Sequence, residues 1–152
     1  MDREELYELF VTTFNVKDPL SPFRLDEIDD VEREIKTVLP ESYVFFVKYF
    51  GPVYTPQLRV LLQLDLDASY PLQDFSSADE VLGCWQGVKE LPERSIPFAA
   101  DSKGNLFCFK GVALGTRRPP DQPVFVFDHE GETFKEIAPS FDAWLEAFLK
   151  LA

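Results

Sequence analysis

The spacing of apolar residues changes along this chain, and the order of those changes limits the folds open to it. Leu25, Ile28, Val31, Ile35 and Val38 stand at successive steps of 3, 3, 4 and 3 residues. Such steps put all five on one face of an α-helix and turn the intervening Asp, Glu, Arg and Lys to water. Glu32 and Lys36 fall one turn apart on that outer surface, a pair worth roughly a few tenths of a kcal/mol. Pro40 ends the helix, and Glu41 opens another whose apolar side is Tyr43, Phe46, Val47 and Phe50. Gly51-Pro52 stops it, because glycine accepts a left-handed cap and proline cannot continue the helix. The two helices are expected to form a hairpin over a shared apolar surface. From Leu58 the period becomes two. Leu58, Val60, Leu62, Leu64 and Leu66 alternate with Arg59, Leu61, Gln63 and Asp65, which predicts a strand with one buried face.

The flanking segments complete the order of elements. Leu6, Leu9, Phe10 and Phe14 have helical spacing across residues 3–14, and Pro19 and Pro22 break that helix into a loop. Ser77 with Glu80 forms a capping box, opening a helix lined by Val81, Leu82, Trp85 and Val88. Residues 95–100 read as a strand, 101–105 as a turn in which Gly104 takes positive φ, and 106–112 as a strand covered on both faces. After a loop over 115–123 carrying Arg117 and Arg118, residues 124–127 and 133–137 form a hairpin around Asp128-His129-Glu130-Gly131-Glu132. Ser140 caps a last helix striped with Phe141, Trp144, Leu145, Phe148 and Leu149. Helices, strands, one helix, strands, helix is an α+β order, not the alternation of a doubly wound sheet. With no repeat or linker, residues 1–152 are expected to form a single domain.

Composition narrows the function classes. The 152 residues include 27 acidic and 15 basic side chains, a formal charge of −12. A chain of this size buries roughly two thirds of its unfolded surface, enough for a core without metal or disulfide. Its 15 Phe, 5 Tyr and 2 Trp rule out disorder despite the charge. The acidity argues against autonomous nucleic-acid binding, which needs Lys and Arg against phosphates. Residues 1–76 carry 15 acids and 7 bases, against 12 and 8 in residues 77–152. Much of the excess is therefore the outward side of the N-terminal helices. Met1-Asp2-Arg3-Glu4-Glu5 lacks the basic start and apolar run of a secretory signal, and no stretch approaches the ~18 apolar residues of a membrane span. The expectation is a cytoplasmic or nuclear chain without membrane contact, the cytoplasm being the assignment adopted. In that reducing setting Cys84 and Cys108, each beside apolar neighbours, read as buried free thiols.

No catalytic constellation emerges. No glycine-rich turn leads from a strand into a helix, so a phosphate loop is excluded. There is one histidine, and Asp128, His129 and Glu130 are successive turn residues that point apart rather than toward one metal ion. Asp65 and Asp67 share a strand face; two close carboxylates can raise one pKa for acid–base work, or simply charge a sheet edge or a partner-facing patch. Ser42, Ser69, Ser76, Ser77, Ser95, Ser102 and Ser140 lack a glycine elbow. The residues themselves predict no enzyme, no metal and no cofactor. Trp85 and Trp144 lie on apolar helix faces, and an indole that reaches the surface is a favoured contact residue.

Three segments in combination resemble a known family. The first runs Ile28-Asp29-Asp30-Val31-Glu32-Arg33-Glu34-Ile35-Lys36-Thr37-Val38-Leu39-Pro40-Glu41-Ser42-Tyr43 and on through Phe46-Val47 to Gly51. It resembles the leading helix pair of the SUKH superfamily, named partly for fungal cell-wall-synthesis regulators. Glu32, Leu39, Pro40, Glu41 and Tyr43 fall on its pattern of a helix glutamate followed by Leu-Pro-acid-x-aromatic. The second, Ile96-Pro97-Phe98-Ala99-Ala100-Asp101-Ser102-Lys103-Gly104-Asn105-Leu106-Phe107-Cys108-Phe109, is similar to the family's strand–turn–strand. The third, Pro123-Val124-Phe125-Val126-Phe127-Asp128-His129-Glu130 with Ser140-Phe141 and the helix to Leu149, is similar to its last hairpin and closing helix. The match covers most of residues 25–150 and leaves 1–20 as an N-terminal helical extension. Tyr49-Phe50-Gly51-Pro52 departs from the Asn-Gly-Gly often found after the second helix.

The resemblance implies an α+β domain with a central, mainly antiparallel sheet flanked by the N-terminal helix pair, a middle helix and the C-terminal helix. It implies binding rather than catalysis. Many bacterial members look like immunity proteins that neutralise a toxin; fungal members are regulatory scaffolds. The expectation is an immunity protein that occludes a toxin domain, such as a basic nuclease, with a regulatory scaffold as the alternative. Acidic groups would steer the encounter and aromatics would anchor it. The candidate partner-binding residues are Asp65, Asp67, Tyr54, Tyr70, Trp85, Asp128 and Glu130. An enzyme acting through Asp65 with Asp67, or through the Asp128 turn, is the third possibility and requires a pocket around those carboxylates.

Overall fold

Asp2 accepts a hydrogen bond from the Glu5 N–H (2.9 Å) and so caps the first helix, α1 (Arg3–Phe14). The computed structural model describes residues 1–16, 19–54, 72–101 and 103–150. The strand expected over 58–66, with Asp65, Asp67 and the nearby Tyr70, lies outside the described residues. In α1 the inward side is Leu6, Tyr7, Phe10, Val11 and Phe14, while Leu9 is left exposed.

Helix α2 (Leu25–Ile35) ends earlier than its apolar spacing predicts. Lys36 turns left-handed (φ 61°), its N–H bonds the Glu32 carbonyl, and Thr37–Val38 becomes a short strand, β1. Val38 therefore belongs to a strand, not to the helix face. Leu25, assigned to the same apolar face, is 64 % exposed. The Glu32–Lys36 pair does not form either, because the cap takes Lys36 out of the helix and Glu32 is buried. Helix α3 (Glu41–Tyr49) follows with Ser42, Tyr43, Phe46 and Val47 inward. Gly51 then takes φ +72°, and a Cβ there would lie 2.0 Å from the Ser21 carbonyl oxygen, so only glycine fits the turn.

Beyond the undescribed segment come β2 (Leu72–Phe75) and helix α4 (Ala78–Gly87), which carries the expected capping box. Ser77 and Glu80 each accept the other's backbone N–H. Strands β3 (Ser95–Asp101), β4 (Leu106–Lys110), β6 (Val124–Asp128) and β7 (Thr133–Ala138) join β2 in a sheet ordered β2-β3-β4-β6-β7, antiparallel throughout. The run 106–112 is one strand in the sequence reading but two here: Gly111 separates β4 from β5 (Val112–Ala113), which pairs with β1. A Cβ on Gly111 would stand 1.8 Å from Thr37 Oγ1 and 2.7 Å from the Arg94 carbonyl oxygen. The close approach of β1 thus requires glycine. Pro97 has no N–H to give the sheet, and the β3–β4 register shifts beside it, between Pro97 and Ala99. Ser140 accepts the Ala143 N–H (3.0 Å) and opens the last helix, α5 (Phe141–Leu149).

One apolar core runs from Leu6 to Phe148 and joins α1, α2, α3 and α5 to one sheet face through Ile96, Phe98, Phe107, Phe109, Val124 and Val126. Phe98 and Phe109 stack at 4.3 Å, and Phe141 meets the edges of Tyr7, Tyr43, Phe46 and Phe98. The opposite face holds Leu106, Cys108 and Phe127 under Cys84, Val88 and Leu91. So β4 is covered on both faces, as its unbroken apolar run predicts. The aromatic excess goes largely into this interior, and burial of this order supplies most of a domain's stability.

Candidate partner-binding surfaces

Several residues that carry the family resemblance, Glu32, Leu39 and Tyr43 among them, sit at a buried junction. Glu32 is 9 % exposed, and its carboxylate accepts the Leu39 N–H (2.7 Å) and the Arg118 guanidinium (2.8 and 3.3 Å). Arg118 also donates to the Leu39 carbonyl (2.9 Å), so one arginine from the 115–123 loop closes the turn between α2 and α3. Leu39 and Tyr43 are each 1 % exposed. Burial among Phe98, Phe109 and Phe141 pushes the Tyr43 phenol above its ordinary pKa.

The second motif ties two turns together. Asp101 accepts the N–H groups of Lys103 (2.8 Å) and Asn105 (2.9 Å) and the Asn105 amide (2.9 Å). The Asn105 amide nitrogen is thereby committed as a donor, which leaves Oδ1 to accept the His129 N–H (3.1 Å) and its ring Nδ1 (2.9 Å). His129 therefore carries its proton on Nδ1. Gly104 takes φ +89° in that turn. Asp128 accepts the N–H groups of Glu130 (3.1 Å) and Gly131 (3.4 Å), which folds the β6–β7 turn and leaves Glu130 exposed at its tip.

A third junction has no signal in the residue spacing. Asp121 Oδ1 accepts the Ser42 hydroxyl (2.8 Å) and the N–H of Phe141 (2.9 Å), and Oδ2 accepts that of Asp142 (3.3 Å). A carboxylate from the loop before β6 thus satisfies the orphan donors that begin α5. Asp142 in turn accepts from Arg3 (3.0 Å) and from the Tyr7 hydroxyl. Burial, with the hydrogen bond to Asp142, raises the Tyr7 pKa. These groups bind α1 to α3 and α5. The paired donors and acceptors are all occupied, so the cluster does structural work.

The sequence-nominated contact residues fall in different places. Tyr54 is half-buried and bridges Asp74 on the β2 edge; with Glu80 they line a cleft of about 380 Å³. Trp85 is half-buried in a separate groove of about 400 Å³ between the end of α2 and the segment after α4. Asp128 and Glu130 line neither. Asp65, Asp67 and Tyr70 lie outside the described residues. The Trp85 groove also presents Lys36, Lys89 and Arg94, none of which the sequence nominates as a contact residue. They come from the end of α2 and from the segment after α4, a distribution along the chain that carries no periodic signal. Among the described residues no group of His, Cys, Asp and Glu converges to hold a metal ion, and no helix is long and apolar enough to cross a membrane. Cys84 and Cys108 are free thiols, half-buried and buried, and burial raises the pKa of both.

The model of the SMI1/KNR4 family (SUKH-1) matches residues 22–147, and the chain belongs to that family. No curated protein matches it significantly. The matched span begins just before α2 and leaves out α1, although Tyr7 and Phe10 of α1 are wholly buried in the common core. Membership is consistent with an immunity or regulatory role exercised through protein binding.

Proposed function

From that membership we propose a non-catalytic, cytoplasmic protein-binding domain of the immunity type, which neutralises a cognate toxin domain by occluding it. One observation carries this reading. Many of the positions on which the family likeness rests, Glu32, Leu39, Tyr43, Phe98, Asp101 and Asn105, are buried and spent on holding the scaffold, while Glu41 and Glu130 of the same segments stay exposed. Recognition is then left to surface residues that can differ between relatives without cost to the fold. That division suits a family whose members each meet a different partner.

The contact residues proposed are Tyr54, Trp85, Asp128 and Glu130, with Asp65, Asp67 and Tyr70 as further candidates. An excess of acid over base, 27 against 15, would steer a basic toxin such as a nuclease toward the chain. The second reading, a regulatory scaffold that binds a host protein, uses the same surface and rests on the same membership. Expression of the adjacent open reading frame, with and without this chain, tests the choice. Growth arrest by the neighbour, relieved by co-expression, supports immunity. A neighbour that is harmless yet binds the chain supports the scaffold, and absence of any complex overturns both.

A further inference from the structure

The groove beside Trp85 differs in charge from the rest of the molecule. Its rim carries Lys36, Lys89 and Arg94 against Glu34 and Glu93, in a chain whose net charge is −12. All five are exposed, and none of them enters a salt bridge among the described residues. The floor is apolar: the half-buried Trp85 with Val88 and Leu91.

The backbone holds two of the three cations in place. Lys36 (φ 61°) and Arg94 (φ 62°) are left-handed, a conformation that non-glycine residues adopt at a cost. Both flank the tight approach of β1 to Gly111, where the Gly111 N–H bonds the Arg94 carbonyl at 2.8 Å. The bases of these long side chains are therefore fixed by the fold rather than by a loose loop. Less ordering entropy remains to be lost when a ligand engages them.

We propose that this groove docks an acidic peptide segment of the partner protein, with carboxylates on Lys36, Lys89 and Arg94 and one apolar side chain on Trp85. The proposal rests on the protein-binding reading above and names the chemistry of one part of its interface. A short acidic segment satisfies three cations around an indole. A nucleic acid brings a dense row of phosphates that the acidic remainder of the surface repels.

The probe is a fluorescein-labelled nonapeptide alternating glutamate with leucine, titrated by anisotropy against the full chain. The same peptide with lysine for glutamate, and a fluorescein-labelled oligothymidylate, serve as controls. Expected are saturable binding of the acidic peptide, a change in Trp85 emission, and affinity lowered about tenfold by Lys89→Glu and further by salt. Arg94→Asn is the second variant, since asparagine tolerates the left-handed backbone, and it is expected to weaken binding in the same direction. The inference is overturned if the acidic peptide does not bind, if both variants bind it as the native chain does, or if the lysine peptide or the oligonucleotide loses affinity in both variants as the acidic peptide does. The adjacent gene product, titrated separately, distinguishes the two readings. Equal affinity for the native chain and both variants overturns the groove assignment and leaves the protein-binding function standing.

Discussion

The Arg118 guanidinium lies 2.8 Å from the Glu32 carboxylate and donates to the Leu39 carbonyl at 2.9 Å, so a loop arginine fastens the helix glutamate to the turn that follows it. These residues are 86 positions apart in the chain. The pair is partly buried, with side-chain exposures of 37 % for Arg118 and 12 % for Glu32. Removing one partner strands the other, whereas an exposed ion pair would be nearly neutral. Arg118→Ala is expected to lower stability by about 1–3 kcal/mol, read as a shift in the urea midpoint at unchanged slope. Lys36→Ala, at the partner that helical spacing would give Glu32, is expected to leave the Glu32 contacts intact.

Helix α1 lies outside the matched span yet belongs to the core. Phe10 is fully buried and meets Phe14, Phe46, Phe75 and Phe148. Phe10→Ala is expected to cost about 3–5 kcal/mol. Calorimetry checks this: a melting temperature within a degree of the native one would show that α1 is dispensable.

Gly111→Ala drives a methyl into Thr37 Oγ1 and toward the Arg94 carbonyl. The expected loss is about 1–3 kcal/mol. Thr37→Gly in the same chain removes the nearer clash but not the Arg94 carbonyl, so a double-mutant cycle is expected to recover only part of the loss.

Tyr7 and Tyr43 hold their phenol protons more tightly in the fold than in the unfolded chain, chiefly through burial. A raised folded pKa contributes stability that is intact below the ordinary tyrosine value, about 10, and is lost as pH climbs above it. Stability is therefore expected to fall in strong alkali. The tyrosinate absorbance of these two rings is expected to appear together with the loss of near-ultraviolet dichroism. Their ionisation in the intact fold would contradict the burial.

Much of the architecture was legible because it is local. The Ser77 and Ser140 caps, the stripe of α5, the 101–105 turn and the β6–β7 hairpin each depend on residues a few positions apart. Family resemblance supplied the antiparallel sheet. What escaped depends on distant partners. β1 exists because β5 meets it, pairing Thr37 with Ala113, and no helical period counts that far. The same holds for Glu32 with Arg118 and for Asp121 at the start of α5. The Trp85 groove was half legible: the indole stood out by type, but its cations come from the end of α2 and the segment after α4, which only the fold brings together. The acidity pointed to a basic partner for the whole surface, while this groove is locally basic.

The central claim is that the buried motif residues hold the scaffold while the surface binds a protein. Hydrogen exchange, measured on the chain alone and with the product of the adjacent gene, tests it most directly. The account predicts a stable complex in which protection rises over exposed segments, including 85–94, while the core strands β3 and β4 are slow in both states. No complex, or a complex that leaves every exposed segment unprotected, would contradict it.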